Sequence, residues 1–379
     1  MRPNSFRRGL QTVHLWLGLI LAIPIIIIGV TGSVLLLERE FLVLEIPAAM
    51  ATGMRQPLAR VIEAAKSVAP EGMAVGRIDV REGTPVAVRF STSGRPQRTV
   101  AVYVDPVSLD VLGPPNPVGR VPLMTSFQRV HEYLWMPGFI GLRFVGYMGL
   151  AMTFMGISGL ILWWPRSGSW RNGFLMRRGA RGLRLYLDLH HVAGFWGSAV
   201  LLIVSISGLY LTFPETYSAV LSAMIPPSVS SLVEPAPGSI TMEGPINPDG
   251  AIAIANSAVP DAKAVSIESP GRDGEPIVVT MEASGLAPTV PPIVVTLDPK
   301  TSEISFIDDP RRHGLKDRLL NWSYAIHFAV GLPWIWKGLV FLSGLLPLLL
   351  AITGTSIWWL RRRATRRMTA AEGVAAPAE

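Results

Sequence analysis

Hydrophobic positions along this chain follow two patterns. In four places they run without a charged residue: between Arg8 and Glu38, Arg143 and Arg166, Asp188 and Glu215, and Lys337 and Arg361. Each run is long enough, as a helix, to cross a hydrocarbon core of about 30 Å. Between the runs the pattern becomes periodic. Pro57 to Val68 puts Leu58, Val61, Ile62 and Ala65 on one helical face. Val86–Phe90 and Val100–Val104 read as strands separated by a turn at Ser93-Gly94, and Asp105-Pro106 ends the second. The same order returns later. Asn247 to Ala258 is an Ala-rich helix, Ile277–Met281 and Ile293–Leu297 are strands, and Asp298-Pro299 follows.

The apolar runs repeat as well. His14 precedes Gly18 by four residues and Gly32 by eighteen; His190 precedes Gly194 by four and Gly208 by eighteen. Two matches at identical spacing point to a duplicated unit. Its order is a spanning helix, an external segment and a second spanning helix, followed by the same three parts again. The second spanning helix of each unit has its own histidine. His131 precedes Trp163 by 32 residues and His327 precedes Trp358 by 31, each on a helical lead-in broken at Pro137 or Pro333.

Charge sets the orientation. The chain carries a net +7, and only 16% of its 379 residues are charged, far below the ~25% of an ordinary soluble domain. The basic excess sits in three short segments: Arg2, Arg7 and Arg8; Arg166, Arg171, Arg177, Arg178, Arg181 and Arg184; and Arg361, Arg362, Arg363, Arg366 and Arg367. All three abut apolar runs, as the positive-inside rule expects of cytoplasmic segments. Anionic lipid rather than nucleic acid is their counter-charge. Both termini are then cytoplasmic, and the first run reads as an uncleaved anchor, because Glu38-Arg39-Glu40 follows it in place of a small-residue cleavage site.

An ionisable residue at the edge of a spanning helix is a functional candidate. His14, His190 and His191 fall on the cytoplasmic side, and His131 and His327 on the external side. His313, beside Arg311 and Arg312, reads as a solvated loop residue. The chain has no cysteine, which excludes disulfides, cysteine-ligated iron–sulfur clusters and covalently attached haem, but not haem held by histidine. Paired imidazoles leave no open position on the iron, which suits electron transfer. His14 with His190 would hold a cytoplasmic-side haem, and His131 with His327 an external-side haem. Gly18, Gly32, Gly194 and Gly208 would let helices or a flat macrocycle approach closely. His191 points about 100° away from His190 on a helix, and the spacing to Gly194 favours His190. Trp163-Trp164 and Trp358-Trp359 read as interfacial anchors. No catalytic residue, nicotinamide fingerprint or flavin fingerprint stands out.

The motifs His14-x-x-x-Gly18 with Thr31-Gly32, His190-x-x-x-Gly194 with Ser207-Gly208, and the two Trp-Trp-x-Arg ends resemble the PepSY-associated transmembrane family. That family includes iron-regulated bacterial inner-membrane proteins and ferric-siderophore reductases. Val102–Pro106 and Val295–Pro299 are similar to the closing strands of PepSY modules, while Ser207 stands where the family has threonine. The resemblance implies haem-dependent reduction of ferric chelates in the periplasm.

Sequence alone therefore predicts an α-helical membrane protein of the bacterial inner membrane, with four transmembrane helices from an internal duplication and two periplasmic α+β PepSY-like domains. The expected boundaries are a cytoplasmic N-terminus at 1–12, spans at 13–37, 131–165, 189–213 and 321–360, periplasmic domains at 38–130 and 214–320, a basic cytoplasmic loop at 166–188 and a tail at 361–379. The expected cofactor is haem b, two per chain. The expected partners are a ferric siderophore, a cytoplasmic electron donor and the bilayer. A different class of reading is a non-enzymatic membrane regulator that uses PepSY domains to bind a peptidase or envelope protein. A third is a transporter, since duplicated halves are common there.

Overall fold

A computed structural model describes residues 5–38, 51–92, 99–113, 115–117, 122–164, 171–225, 232–233, 247–268, 275–287 and 289–374. The expected turn at Ser93-Gly94 lies outside them, as do Arg2, Arg39, Glu40 and Arg166. The chain divides into two compact units, one gathering Met1–Leu37, Ser126–Val220 and Ser323–Glu379, the other Glu38–Thr125 and Leu221–Trp322.

The first unit is helical. Helix α5 (Gly138–Trp163), α6 (Leu183–Thr212) and α10 (Trp334–Val374) are each long and apolar enough to cross a membrane. At 26 residues even α5 extends about 39 Å. The first apolar run, expected as one helix over 13–37, is instead a bent pair. Helix α1 (Ser5–Ile20) meets α2 (Ala22–Leu35) at 65°, so the fourth span exists only if the pair counts as one. The cause is Pro24, which has no N–H to donate and whose ring crowds the carbonyl of Ile20.

Small residues set how closely these helices pack. At the crossing of α2 and α10, a Cβ on Gly29 would lie 2.3 Å from the Gly344 carbonyl oxygen, and a Cβ on Gly344 would lie 2.5 Å from that of Gly29. Ser33 Oγ donates across the same crossing to the Phe341 carbonyl at 2.8 Å. Large apolar side chains such as Ile23, Phe139, Ile140, Leu342 and Ile352 remain exposed, as lipid-facing surface requires. Helices α4 (Pro122–Tyr133) and α9 (Leu315–Phe328) are the expected lead-ins to α5 and α10. Helix α7 (Pro214–Met224) follows α6 and was not foreseen.

The second unit is a nine-stranded antiparallel sheet in the order β4-β3-β2-β1-β6-β7-β8-β9-β5. The strands are β1 (Ala74–Asp79), β2 (Val86–Ser91), β3 (Thr99–Val104), β4 (Asn116–Pro117), β5 (Leu232–Val233), β6 (Ala262–Glu268), β7 (Ile277–Ala283), β8 (Ile293–Leu297) and β9 (Ile304–Asp308). Alternation works as anticipated. Val86, Val88 and Phe90, then Val279 and Met281, then Ile293, Val295 and Leu297 are buried on one face. Helices α3 (Leu58–Lys66) and α8 (Pro248–Ala258) bring Leu58, Val61, Ala65, Ala251, Ile254 and Ala255 to the same core.

The two segments expected as separate external domains share this one sheet and one hydrophobic core. The seam is β1 against β6, with Arg77 opposite Glu268, Ile78 opposite Ile267 and Asp79 opposite Ser266. Arg77 pairs with Glu268 at 2.8 Å, and Lys263 with Glu82 at 2.9 Å. A second tie lies at the helix starts. Pro57 cannot cap α3, so the Asp249 carboxylate of the other segment accepts from the backbone N–H of Leu58 at 3.0 Å and of Ala59 at 3.4 Å.

The two Asp-Pro turns have the same construction. Asp105 Oδ1 accepts from Val107 and Ser108 N–H, and Asp298 Oδ1 from Lys300 and Thr301 N–H. Each then passes through a left-handed residue, Leu109 at φ 66° and Ser302 at φ 62°. His313 is not solvated. It is buried, with Nε2 2.8 Å from Asp308 Oδ1 and Nδ1 3.0 Å from Asn321 Nδ2, because the turn Pro310–Arg312 folds it inward.

Candidate functional site

Four histidines of the helical unit are held in one way. Each imidazole lies against a Ser-Gly or Thr-Gly dipeptide on another helix. His14 on α1 meets Ser158-Gly159 on α5, and His190 on α6 meets Thr353-Gly354 on α10. His131 on α4 meets Thr31-Gly32 on α2, and His327 on α9 meets Ser207-Gly208 on α6. The glycine leaves room for the ring. A Cβ would stand 3.4 Å from Cε1 at Gly159 and Gly354, 2.7 Å at Gly32 and 3.0 Å at Gly208.

The hydrogen bonds fix the tautomer. Ser158 Oγ donates to the Met155 carbonyl, so it accepts from His14 Nδ1, 2.8 Å away. Thr353 Oγ1 donates to the Leu349 carbonyl and accepts from His190 Nδ1 at 2.9 Å. His131 Nδ1 donates to the Ile28 carbonyl at 2.8 Å, and His327 Nδ1 to the Val204 carbonyl at 3.1 Å. In all four rings Nδ1 carries the proton and the Nε2 lone pair is left without a hydrogen-bond partner among the described residues. A histidine that ligates a metal through Nε2 is oriented by this kind of second hydrogen bond.

Two of the rings lie close together. The His131 and His327 centroids are 6.3 Å apart with planes inclined at 47°. His14 on α1 and His190 on α6 are each held against a further helix, α5 and α10. On α6, His190 and the Val204 carbonyl that orients His327 are fourteen residues apart, so the two pairs are separated by about 21 Å along the helix. Among the described residues no cluster of three or more His, Cys, Asp or Glu converges on one point. A pair of imidazoles is the protein share of a metal site when the metal brings its own equatorial ring, as haem iron does. The donor set fits that group.

Other expected roles divide. His191 is exposed and makes no hydrogen bond among the described residues, whereas His190 is turned to α10. Gly32 and Gly208 do permit a close approach, but to an imidazole. A Cβ on Gly18 would lie 3.2 Å from Met155 Cε, a close side-chain contact, whereas Gly194 has only Leu350 Cδ2 at 3.7 Å and marks no tight helix contact. Trp163 is not a simple interfacial anchor. It stacks on Phe195 at 4.1 Å, meets Phe174 edge-on and donates to the Gly173 carbonyl, pinning the single helical turn Arg171–Phe174. Trp164 and Trp359 are exposed as an interfacial position requires, the latter under Arg363.

Ser158-Gly159 and Thr353-Gly354 were missed from sequence. The available signal was that a Ser/Thr-Gly dipeptide recurs at the corresponding place in each apolar run of the two halves. Thr31-Gly32 and Ser207-Gly208 are 176 residues apart, and Ser158-Gly159 and Thr353-Gly354 are 195 apart.

No curated protein matches the chain closely enough to lend it a function. A family model does match, that of the PepSY-associated TM region, over residues 11–361. The four histidines and all four Ser/Thr-Gly dipeptides fall within that match, and the chain belongs to the PepSY-associated TM region family.

Proposed function

We propose that this protein is a di-haem inner-membrane reductase that passes electrons from a cytoplasmic donor to a ferric siderophore in the periplasm and releases ferrous iron. The observation that carries the proposal is the set of four imidazoles, each with Nδ1 engaged and Nε2 free, in which the His131 and His327 ring centroids lie 6.3 Å apart. His14 and His190 would hold one haem b, and His131 and His327 the other. When bound, haem of this ligation supplies one-electron transfer without an open coordination position.

The chain's own residues do the rest. Ser158 and Thr353 on one side, and the Ile28 and Val204 carbonyls on the other, hold the ring orientation and keep the Nε2 lone pair available. The apolar helices exclude water from the path. Net transfer is one electron to ferric iron, and ferrous iron leaves because a siderophore's hard oxygen ligands prefer the ferric ion.

The proposal includes the architecture. We read the chain as four spans from an internal duplication, the bent α1–α2 pair being the first, with both termini cytoplasmic and the sheet periplasmic. The same order of histidines, dipeptides and Asp-Pro turns in each half, offset by 176 residues in the first span and by 193–196 from the Asp-Pro turn onward, supports the duplication, and the arginine segments support the orientation. The test is the absorbance of the purified protein and a haem-to-protein ratio, followed by reduction of a ferric siderophore by protein in liposomes with a ferrous trap outside. A colourless, haem-free preparation from haem-replete cells would overturn the reading.

A further inference from the structure

The halves of the chain differ most informatively at the link between the short external helix and the long one. In the first half, Arg129, Tyr133, Trp135, Met136 and Gly138 line an open recess of about 280 Å³. His131 and Pro137 bracket this link, as His327 and Pro333 bracket the other, 196 residues later. In that register Ala325 stands for Arg129, Ala329 for Tyr133 and Gly331 for Trp135.

The second link makes the corresponding connection with two alanines and a glycine, by a different backbone path: Ala329 and Gly331 take positive φ there, Leu134 and Trp135 here. Gly331 takes φ 69°, a conformation glycine adopts freely. Trp135 takes φ 61° at the matching position, which a bulky residue adopts only against a steric penalty, and its indole is 65% exposed. The Arg129 side chain is exposed and has no hydrogen bond or ion pair among the described residues.

We propose that this recess docks one anionic aromatic arm of the ferric chelate, of the catecholate or salicylate class. Trp135 and Tyr133 offer ring faces for stacking, and the Arg129 guanidinium pairs with the phenolate or carboxylate oxygens. The recess is too small for a whole tris-chelate and suits one arm. Arg129 and Tyr133 flank His131 on α4 at two residues to either side, so the arm rests on the helix face turned away from the imidazole, within about one helix diameter, ~10 Å, of it. The inference rests on the reductase reading for the metal the ligand carries, and it narrows that ligand from any siderophore to an aryl one.

The experiment titrates full-length protein in zwitterionic nanodiscs with gallium(III) tris-catecholate, followed by calorimetry. Gallium is not reduced under these conditions, so affinity is read independently of electron flow. The wild type should bind, Trp135→Ala and Arg129→Gln should each weaken binding at least tenfold, Trp135→Phe should recover most of it, and a neutral gallium tris-hydroxamate should bind no better to wild type than to Trp135→Ala. Trp334, a still more exposed tryptophan at the other link, is the control, and Trp334→Ala should leave affinity unchanged. No binding by wild type, undiminished binding by Trp135→Ala, or equal losses in Trp135→Ala and Trp334→Ala would overturn the site; the last would make Trp135 a lipid anchor only. Displacement by anionic lipid would overturn it in favour of a headgroup site. Should Trp135→Ala fail to fold, Arg129→Gln on the exposed surface decides alone. Gallium binding without reduction of the iron form would sink the reductase reading and leave the site standing; iron reduction with unchanged KM in Trp135→Ala would do the reverse.

Discussion

Thr353 Oγ1 lies 2.9 Å from His190 Nδ1 while giving its own proton to the Leu349 carbonyl. A hydroxyl so placed can only accept from the ring. Thr353→Val keeps the shape and removes the acceptor. It should loosen the cytoplasmic-side haem by about 10–100-fold, the usual cost of losing an orienting partner. Ser158→Ala should do the same through His14. Haem retention on dilution and the reduced absorbance band check this, and full retention in both variants would show that the hydroxyls are packing groups.

Gly32→Ala places a methyl 2.7 Å from His131 Cε1, and Gly208→Ala places one 3.0 Å from His327 Cε1. Neither ring can retreat without leaving its carbonyl acceptor. Both variants should lose the external-side haem and keep the other, halving the haem-to-protein ratio. Gly194→Ala meets only Leu350 Cδ2 at 3.7 Å and should retain both. Equal behaviour of Gly32→Ala and Gly194→Ala would mean that ring clearance does not set occupancy.

Ligand variants should separate by pair. His14→Ala or His190→Ala should remove one haem, and His131→Ala or His327→Ala the other, while exposed His191→Ala should keep both. With the His131/His327 pair gone, the remaining haem should still accept electrons from a cytoplasmic donor, but ferric siderophore outside the liposome should stay oxidised. Ferrous iron appearing at the wild-type rate would take that pair off the path.

Arg311 joins the turn after β9 to the start of β6. It holds Asp309 in a bidentate pair, with Nη2 2.7 Å from Oδ2, and it also binds Asp261. Burial opposes ionisation of Asp309, but hydrogen bonds and charge from Arg311 outweigh it and hold the carboxyl below its usual value. A carboxyl lowered in the folded state stabilises it above the unfolded pKa, and that contribution is lost as pH falls through the folded value. Arg311→Ala leaves Asp309 buried without its partner and should cost roughly 1–3 kcal/mol at neutral pH. Hydrogen exchange of β6–β9 in the intact protein, compared at pH 7 and below 4, measures it. The variant should exchange faster at pH 7 and differ less from wild type in acid.

Much of this was legible in the residues, and the remainder was hidden for identifiable reasons. Uninterrupted apolar runs announce long helices, and α5, α6 and α10 occupy three of them. The fourth carries Pro24, which bends a run that hydropathy alone treats as continuous. Strands β2, β3, β7 and β8 were visible because Val and Ile alternate there. The seam strands were not. Gly76, Arg77 and Asp79 interrupt β1, and Lys263 and Ser266 interrupt β6, so the strands that fuse the two segments carry the weakest pattern. The histidine pairs could be read from spacing because imidazole is rare in apolar runs. Ser158 and Thr353 could not, because a small hydroxyl residue in a spanning helix commonly bonds its own backbone and is indistinguishable until the partner helix is present.

The seam and the histidine pairs have one property in common. Each takes one member from either side of the basic 166–184 stretch: β1 with β6, His14 with His190, His131 with His327. A half-length chain would own an open sheet edge and two unmatched imidazoles, and only by meeting a second copy face to face could it close the one and match the others. On the proposed duplication, joining the copies in a single polypeptide fixes their stoichiometry. It also frees each half from being its own mirror: Arg129, Tyr133 and Trp135 stand on one side where Ala325, Ala329 and Gly331 stand on the other.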